Sequence, residues 1–207
     1  MPSFFAAMKH KMPPVPADKR IETGPFLLAA AEILPFLDML GTVYRPVKSD
    51  ISGNINSIEI IYKKNPEKCV TLREMLEDEK ANGNTKANNS ASVALLWLKR
   101  ALEYLSRLLS NICEDQTKKE NITEFVQKAY ADTLKNYHGW IVKQVFMAVA
   151  HSAPYRKDLL VKIGVSETIT EEEVLRDTME YCNVVIENAQ AIHQLLVELD
   201  LNSESKA

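Results

Sequence analysis

Three polar residues, Asp50, Asn54 and Ser57, recur at spacings of four and three in the stretch DISGNINSIEIIYKK. Residues at these spacings lie on one face of a helix. A carboxylate can accept two hydrogen bonds at once, and an amide both donates and accepts. Asp50 and Asn54 are one helical turn apart and could therefore contact the same partner. The alternative is that they belong to an ordinary solvated helix face.

Trp97 is the next residue that could contact a ligand, and it lies in the stretch SVALLWLKRALEYLSRLLSNIC. Apolar residues recur there at spacings of four and three, which predicts a helix with one face turned to a core. The opposite side has polar residues at the same spacings, namely Lys99, Glu103 and two serines. Trp97 lies beside the apolar stripe. A tryptophan in this position is more often a core or rim aromatic. The alternative is that its flat indole, with one N–H group, stacks on a ligand ring.

His138 lies four residues after Leu134 and three before Ile141, so it belongs to the inward stripe of a predicted helix. A histidine in that position is more often a core side chain with a satisfied hydrogen bond than a ligand contact. Trp140 is two residues further on and must point elsewhere, so it could be exposed. Gly139 between them is expected to disturb or break the helix.

Helix signals account for the rest of the chain, and no strand-like alternation or internal repeat appears. Capping boxes begin at Thr71 and Thr170, and Pro35 predicts a kink in the first long helix. We predict an all-α protein of about six to eight helices. Residues 1–22 are expected to form an extended, loosely held arm, residues 23–207 a single helical domain, and the last seven residues a frayed end.

Composition excludes several classes of protein. Of the 207 residues, 46% are apolar and 26% are charged, which is ordinary for a globular domain. The net charge of −3 gives no electrostatic footprint for nucleic acid, and no apolar run reaches the length of about 18 residues that a membrane span needs. Cys69, Cys113 and Cys182 are far apart, which predicts reduced thiols in a cytoplasmic protein.

Catalytic and metal-binding motifs are missing from the sequence. It contains no GxSxG, Walker, GxGxxG, HExxH or CxxC pattern. The four histidines, His10, His138, His151 and His193, are not spaced as a metal site requires. We therefore expect neither an enzyme nor a metal centre.

Five stretches, taken in order, resemble the glycolipid transfer protein family: ADKRIETGPFL, VKSDISGNI, ALLWLKRALEYL, LKNYHGWIVKQVF and SAPYRKDLL. The resemblance runs from about Ala17 to Ile163 and fades after Gly164. It implies a two-layer helical sandwich that encloses a hydrophobic lipid pocket. It also implies a carrier of glycosphingolipids that works without metal, cofactor or covalent chemistry.

The resemblance also implies roles for individual residues. Asp50 and Asn54 would bond the first sugar, and Trp97 would stack beneath it. His138 would bond the ceramide amide or its carbonyl, and Trp140 would touch the membrane. Eight side chains would line the pocket for the lipid chains: Phe36, Leu37, Val93, Tyr104, Leu108, Leu134, Phe146 and Val149.

The sequence departs from the family at two places. Ser57, which we also place at the head group, stands where animal members have a lysine, and the tail NSESKA does not match their tyrosine-containing end. A sister branch that binds ceramide-1-phosphate has an arginine at the position of Trp97. Because phosphate favours a guanidinium and a sugar ring favours a flat indole, Trp97 favours the sugar branch.

The leading hypothesis is a cytoplasmic, monomeric carrier that moves glycosphingolipids between membranes through transient surface contact. A ceramide-1-phosphate carrier and a sphingolipid sensor that binds without transfer are alternatives on the same fold. A helical module that binds a protein partner and no lipid is the alternative from a different class.

Overall fold

All regular structure is helical over residues 2–87 and 89–206, the part of the chain described by the computed structural model. In that part the α-helices, in chain order, are α1 (Phe4–Ala7), α2 (Thr23–Ala31), α3 (Leu34–Met39), α4 (Arg45–Lys64), α5 (Leu72–Ala81), α6 (Ala91–Glu114), α7 (Thr123–Thr133), α8 (Trp140–His151), α9 (Arg156–Ile163) and α10 (Glu171–Glu198). Short 3₁₀ turns cover Thr42–Tyr44, Pro66–Lys68 and Lys135–Tyr137. The predicted all-α class is confirmed.

Local signals set several helix ends as predicted. The Thr71 hydroxyl accepts a hydrogen bond from the backbone N–H of Glu74, whose carboxylate accepts one from the N–H of Thr71. Thr170 and Glu173 form the same capping box at the start of α10. The predicted kink at Pro35 is a full break between α2 and α3, with the proline in the first turn of α3.

Helix α6 lies at the centre of the molecule, packed against α4, α5, α7 and α10. The sequence predicts one buried face for this helix, but the structure buries both. Lys99, Ser106 and Ser110 on the polar side are all buried. The Lys99 ammonium forms an ion pair with Glu103 at 2.9 Å, which offsets part of the cost of burying its charge.

A buried carboxylate fixes the start of α6. Glu79, near the end of α5, accepts hydrogen bonds from the backbone N–H groups of Ala91 (2.6 Å) and Ser92 (2.8 Å) and from the Ser92 hydroxyl (2.5 Å). Negative charge is favourable at a helix N-terminus. The polar loop between α5 and α6 is therefore closed by a contact between the two helices that it joins.

The N-terminal segment is not the loosely held arm that the sequence predicts. Phe5, Met8 and Met12 are buried in the hydrophobic core, and the ring of Phe5 stacks on Tyr181 of α10 with centroids 4.7 Å apart. The apolar side chains that come before the prolines anchor the segment, because their burial removes apolar area from water.

One hydrophobic core extends from Phe5 to Leu196. The expected division into an arm (1–22) and a helical domain (23–207) takes in three residues outside the described part of the chain: Met1, Asn88 and Ala207. Across the described helices, none combines the length and the apolar character that a membrane span requires.

The chain end is also more ordered than predicted. After α10, the N–H of Leu201 donates to the carbonyl of Leu196 at 2.7 Å. The carbonyl of Ser203 then accepts a hydrogen bond from Nη2 of Arg100 at 2.5 Å. This second contact ties the C-terminal segment to the central helix.

Candidate functional site

Helix α4 carries the predicted polar row on one face. The amide of Asn54 donates to a carboxylate oxygen of Asp50 at 3.3 Å, and the Ser57 hydroxyl donates to the carbonyl of Gly53 at 3.0 Å. Asp50 is exposed, whereas Asn54 and Ser57 are half-buried. The row therefore presents acceptors and donors to solvent along two turns of the helix.

A cavity of about 340 Å³ opens beside this row, between α4, α6 and α8. Three of the predicted head-group residues, Asp50, Trp97 and His138, line it. The other lining residues are almost entirely apolar: Pro46, Val47, Ala101, Tyr104, Leu134, Val142, Val145, Phe146 and Val149. The structure thus joins a small polar group to an apolar cavity.

His138 follows the 3₁₀ turn after α7, at the break that Gly139 predicts. Its Nδ1 lies 3.1 Å from the hydroxyl oxygen of Tyr130, and its ring lies 5.9 Å from that of Trp97 at an interplanar angle of 19°. Burial, helped by the positive charges of Lys143 and Arg100, lowers the pKa of His138. At neutral pH the imidazole is therefore an uncharged hydrogen-bonding group.

Asp50 has a perturbed environment of its own. Although its side chain remains open to solvent, it sits at the concave mouth of the cavity, and partial desolvation there raises the pKa of its carboxyl group. Shifted pKa values in a cleft are typical of functional sites.

The predicted chain-pocket residues divide into three groups. Tyr104, Leu134, Phe146 and Val149 line the cavity. Three others are buried in the packed core and are not among the described residues that line it: Phe36, Leu37 and Leu108. Val93 requires a correction, because 42% of it is exposed. It lies one turn before Trp97, whereas the other residues of α6 that line the cavity, Ala101 and Tyr104, come after Trp97.

Sequence patterns do not single out Arg100, which is 1% exposed. Its guanidinium carbon lies 3.5 Å from the ring centroid of Tyr137 and 4.9 Å from that of Trp97. Burial lowers the pKa of this guanidinium, which nevertheless stays charged at neutral pH. Its spacing of three from Trp97 was the only sequence signal for this contact. No sequence signal indicated the contact between Tyr130 and His138, because the helix is broken between the two residues.

Helix α8 has apolar residues on two sides. Trp140 is 74% exposed, Ile141 71% and Val145 52%, which agrees with the expectation that Trp140 could be exposed. Phe146 and Val149 of the same helix face the cavity.

Among the described residues, no group of three or more His, Cys, Asp or Glu side chains is placed to hold a metal ion.

Comparison with known proteins identifies the family. The family model "Glycolipid transfer protein (GLTP)" matches residues 21–165. A glycolipid transfer protein from Danio rerio is 36% identical over 204 residues, covering 96% of this chain and 98% of the relative. One from Xenopus tropicalis is 33% identical over 205 residues, with 97% and 98% covered.

Solved structures show the same fold. One solved structure describes how FAPP2 selects simple glycosphingolipids using the GLTP-fold. It superposes on this chain with a TM-score of 0.90 at 30% identity, and the match covers 100% of both chains. HET-C2, a fungal glycolipid transfer protein, gives 0.82 at 28% identity, covering 94% of this chain and 97% of the other. Human ceramide-1-phosphate transfer protein with bound 12:0 ceramide-1-phosphate superposes with a TM-score of 0.81, covering 97% of this chain and 95% of the other. At 18% identity, this similarity is evidence for the fold and not for a shared ligand. The predicted fold is confirmed, and the chain belongs to the glycolipid transfer protein family.

Proposed function

We propose that this protein binds glycosphingolipids and carries them between membranes. The observation that carries the proposal is the apolar cavity whose mouth holds Asp50, Trp97 and His138. A sugar needs a few placed polar groups and a flat ring, and a lipid chain needs a dry cavity. This site supplies both, and glycolipid transfer is the activity for which the relatives from Danio rerio and Xenopus tropicalis are named.

The head group would sit between α4 and α6. The Asp50 carboxylate can accept two sugar hydroxyls, and Asn54, one turn away, can add a donor and an acceptor. The indole of Trp97 can stack on the apolar face of the same ring. Ser57 continues the row by one more turn, where its hydroxyl could reach a further hydroxyl of the head group after releasing the carbonyl of Gly53.

His138 would bind the ceramide amide group. Its Nδ1 is engaged with the Tyr130 hydroxyl, which leaves Nε2 for the ligand. If Tyr130 donates, Nε2 carries the proton and can donate to the ceramide carbonyl; if Nδ1 donates, Nε2 accepts from the amide N–H. Either neutral form can bind ceramide, and the lowered pKa favours both over the imidazolium.

The lipid chains would enter the cavity past Tyr104, Leu134, Phe146 and Val149. Each chain methylene removed from water contributes about 0.8 kcal/mol. A volume of about 340 Å³ lies near the lower end of the range of about 300–1,000 Å³ for ligand pockets. A two-chain lipid therefore requires core side chains to separate, and we place the continuation of the pocket toward Phe36, Leu37 and Leu108.

Membrane contact would come from the exposed side of α8. Trp140 and Ile141 project from its first turn, and indole rings favour the membrane–water interface. We further propose a cytoplasmic monomer, and the net charge of −3 gives no reason to expect a nucleic-acid partner. We also propose that the protein has no catalytic activity or cofactor, because head-group binding and chain burial require no covalent step.

Ceramide-1-phosphate is a less suitable ligand for this site. A phosphate favours a guanidinium, and Trp97 stands at the position where the sister branch has an arginine. The neighbouring guanidinium of Arg100 is buried against two rings and bonded to the carbonyl of Ser203. The uncharged indole suits a sugar better.

Trp97 provides the test of the proposed function. The protein, as purified and after incubation with glucosylceramide vesicles, is analysed by native mass spectrometry, and transfer between donor and acceptor vesicles is followed by fluorescence. We expect a one-to-one lipid complex and transfer by the natural protein, loss of transfer in folded Trp97→Ala, and substantial activity in Trp97→Phe.

The same experiment separates the alternatives. Binding without transfer would indicate a sensor, ceramide-1-phosphate bound in preference to glucosylceramide would indicate the sister ligand class, and no lipid complex would favour a partner-binding module. Normal transfer by folded Trp97→Ala would contradict the sugar platform.

A further inference from the structure

Arg100 contacts three separate parts of the molecule next to the candidate site. It lies three residues after Trp97 on α6, and its guanidinium packs on the rings of both Trp97 and Tyr137. Tyr137 ends the 3₁₀ turn directly before His138. The third contact is the hydrogen bond to the carbonyl of Ser203 in the C-terminal segment.

We infer that Arg100 is a positioning residue that holds Trp97 and the turn before His138 in place, and that the C-terminal segment from Leu201 to Lys206 secures Arg100. A cation over an aromatic ring is attracted by the ring's negative face, most strongly when it is removed from water. One guanidinium between two rings therefore links the sugar-stacking element to the element that carries the amide-binding histidine.

The hydrogen bonds of Arg100 explain why the chain end matters. In the described part of the chain, Nε and Nη1 of Arg100 have no hydrogen-bond partner. The carbonyl of Ser203 is therefore the acceptor that the structure provides for this buried charge. A buried guanidinium without an acceptor is unfavourable, so loss of the chain end should drive Arg100 toward solvent and away from both rings.

The contact uses the backbone of Ser203 and not its side chain, which gives a matched control. Removing residues 202–207 deletes the acceptor, whereas Ser203→Ala keeps it. Arg100→Gln removes the cation. Arg107→Gln makes the same change seven residues later on α6, where the side chain is 45% exposed and pairs with Asp132.

The experiment observes Trp97 directly. All variants also carry Trp140→Phe, so that Trp97 is the one remaining tryptophan of the two in the sequence. Acrylamide quenching without lipid measures how tightly the indole is held, and titration with glucosylceramide measures the consequence for binding. We expect the quenching constant to rise about twofold and the affinity to fall about tenfold in Arg100→Gln and in the shortened chain. Ser203→Ala and Arg107→Gln should match the Trp140→Phe parent.

The effect on lipid affinity rests on the proposed function, whereas the quenching measurement does not. A parent protein that binds no glucosylceramide would contradict the proposed function and leave the quenching comparison decisive for Arg100. If Arg100→Gln fails to fold by circular dichroism, the shortened chain decides, since it keeps every residue of the core helices. Unchanged quenching in the folded, shortened chain would overturn the inference, as would a rise that folded Arg100→Gln does not share.

Discussion

The imidazole Nδ1 of His138 and the phenolic oxygen of Tyr130 lie 3.1 Å apart, and this contact determines which nitrogen of the histidine is left for a ligand. Tyr130 also stacks on Phe146 with ring centroids 3.7 Å apart and an interplanar angle of 10°. Phe146 lines the cavity. The polar contact at the mouth is therefore joined, through one tyrosine, to the apolar wall below it.

His138 should make the stability of the protein depend on pH. Its pKa in the folded protein is lowered, so protons bind more readily to the unfolded chain, where histidine has a pKa of about 6.5. The free energy of unfolding should therefore fall as pH drops below about 6.5 toward the lowered folded value, and stay level above that range. Thermal unfolding from pH 5 to 8 should show a shallower dependence in His138→Asn. The exposed His193 offers the control His193→Asn, and equal slopes in natural protein and His138→Asn would contradict the prediction.

Asp50→Val should weaken binding of a monoglycosylceramide by about ten- to a hundredfold, since hydrogen bonds to a charged acceptor contribute about 1.5–3 kcal/mol. Binding of plain ceramide should change little, because the apolar cavity does not depend on this carboxylate. Binding curves for both lipids measure the preference, with Glu59→Val on the same helix as control. Equal loss for both lipids would make Asp50 a structural residue, and no loss would make it an ordinary solvated side chain.

Trp140→Ala should reduce binding to phosphatidylcholine vesicles by about tenfold while changing the affinity for dispersed glycolipid by less than about twofold. The two measurements are made separately, by vesicle flotation and by fluorescence titration. Val197→Ala removes part of another exposed apolar side chain, on α10, and should affect neither. Loss of lipid affinity alone would place Trp140 in the lipid site.

Glu79→Gln should lower the free energy of unfolding by about 2–4 kcal/mol, because the charged acceptor at the start of α6 is lost and a buried donor group takes its place. Urea unfolding measures the change. The exposed Glu77, which pairs with Arg73 at 3.4 Å, provides Glu77→Gln as a control that should change stability by less than about 0.5 kcal/mol. A similar small change in both variants would show that the Glu79 contacts contribute little.

Periodicity and capping signals were sufficient to predict the helical class and much of the head-group row. Asp50, Asn54 and Ser57 share a face because helical spacing requires it. Ligand-binding roles for Trp97 and His138 came only from the family resemblance, because the sequence pattern alone was also compatible with a core position for each. The structure brings both to one cavity, but their roles toward a ligand remain predictions.

Contacts between distant segments were beyond the sequence pattern. Local periodicity predicts an exposed polar side for α6, yet Lys99 and Ser106 are buried, and α6 packs against α4, α5, α7 and α10. The anchoring of Phe5 against Tyr181 and of Arg100 against Ser203 joins residues that are far apart in the chain. Hydrophobic spacing carries no information about such pairings.

Helix α8 has 12 residues, a length at which an isolated helix is marginal in water. Its support must come from packing, but one side borders a cavity and another faces solvent. Its backbone amides should therefore exchange with deuterium sooner than those of α6, most of whose residues are buried. Lipid chains in the cavity would supply the packing that α8 lacks, so the cargo would act as part of the folded core, and loading should slow amide exchange in this helix more than in any other.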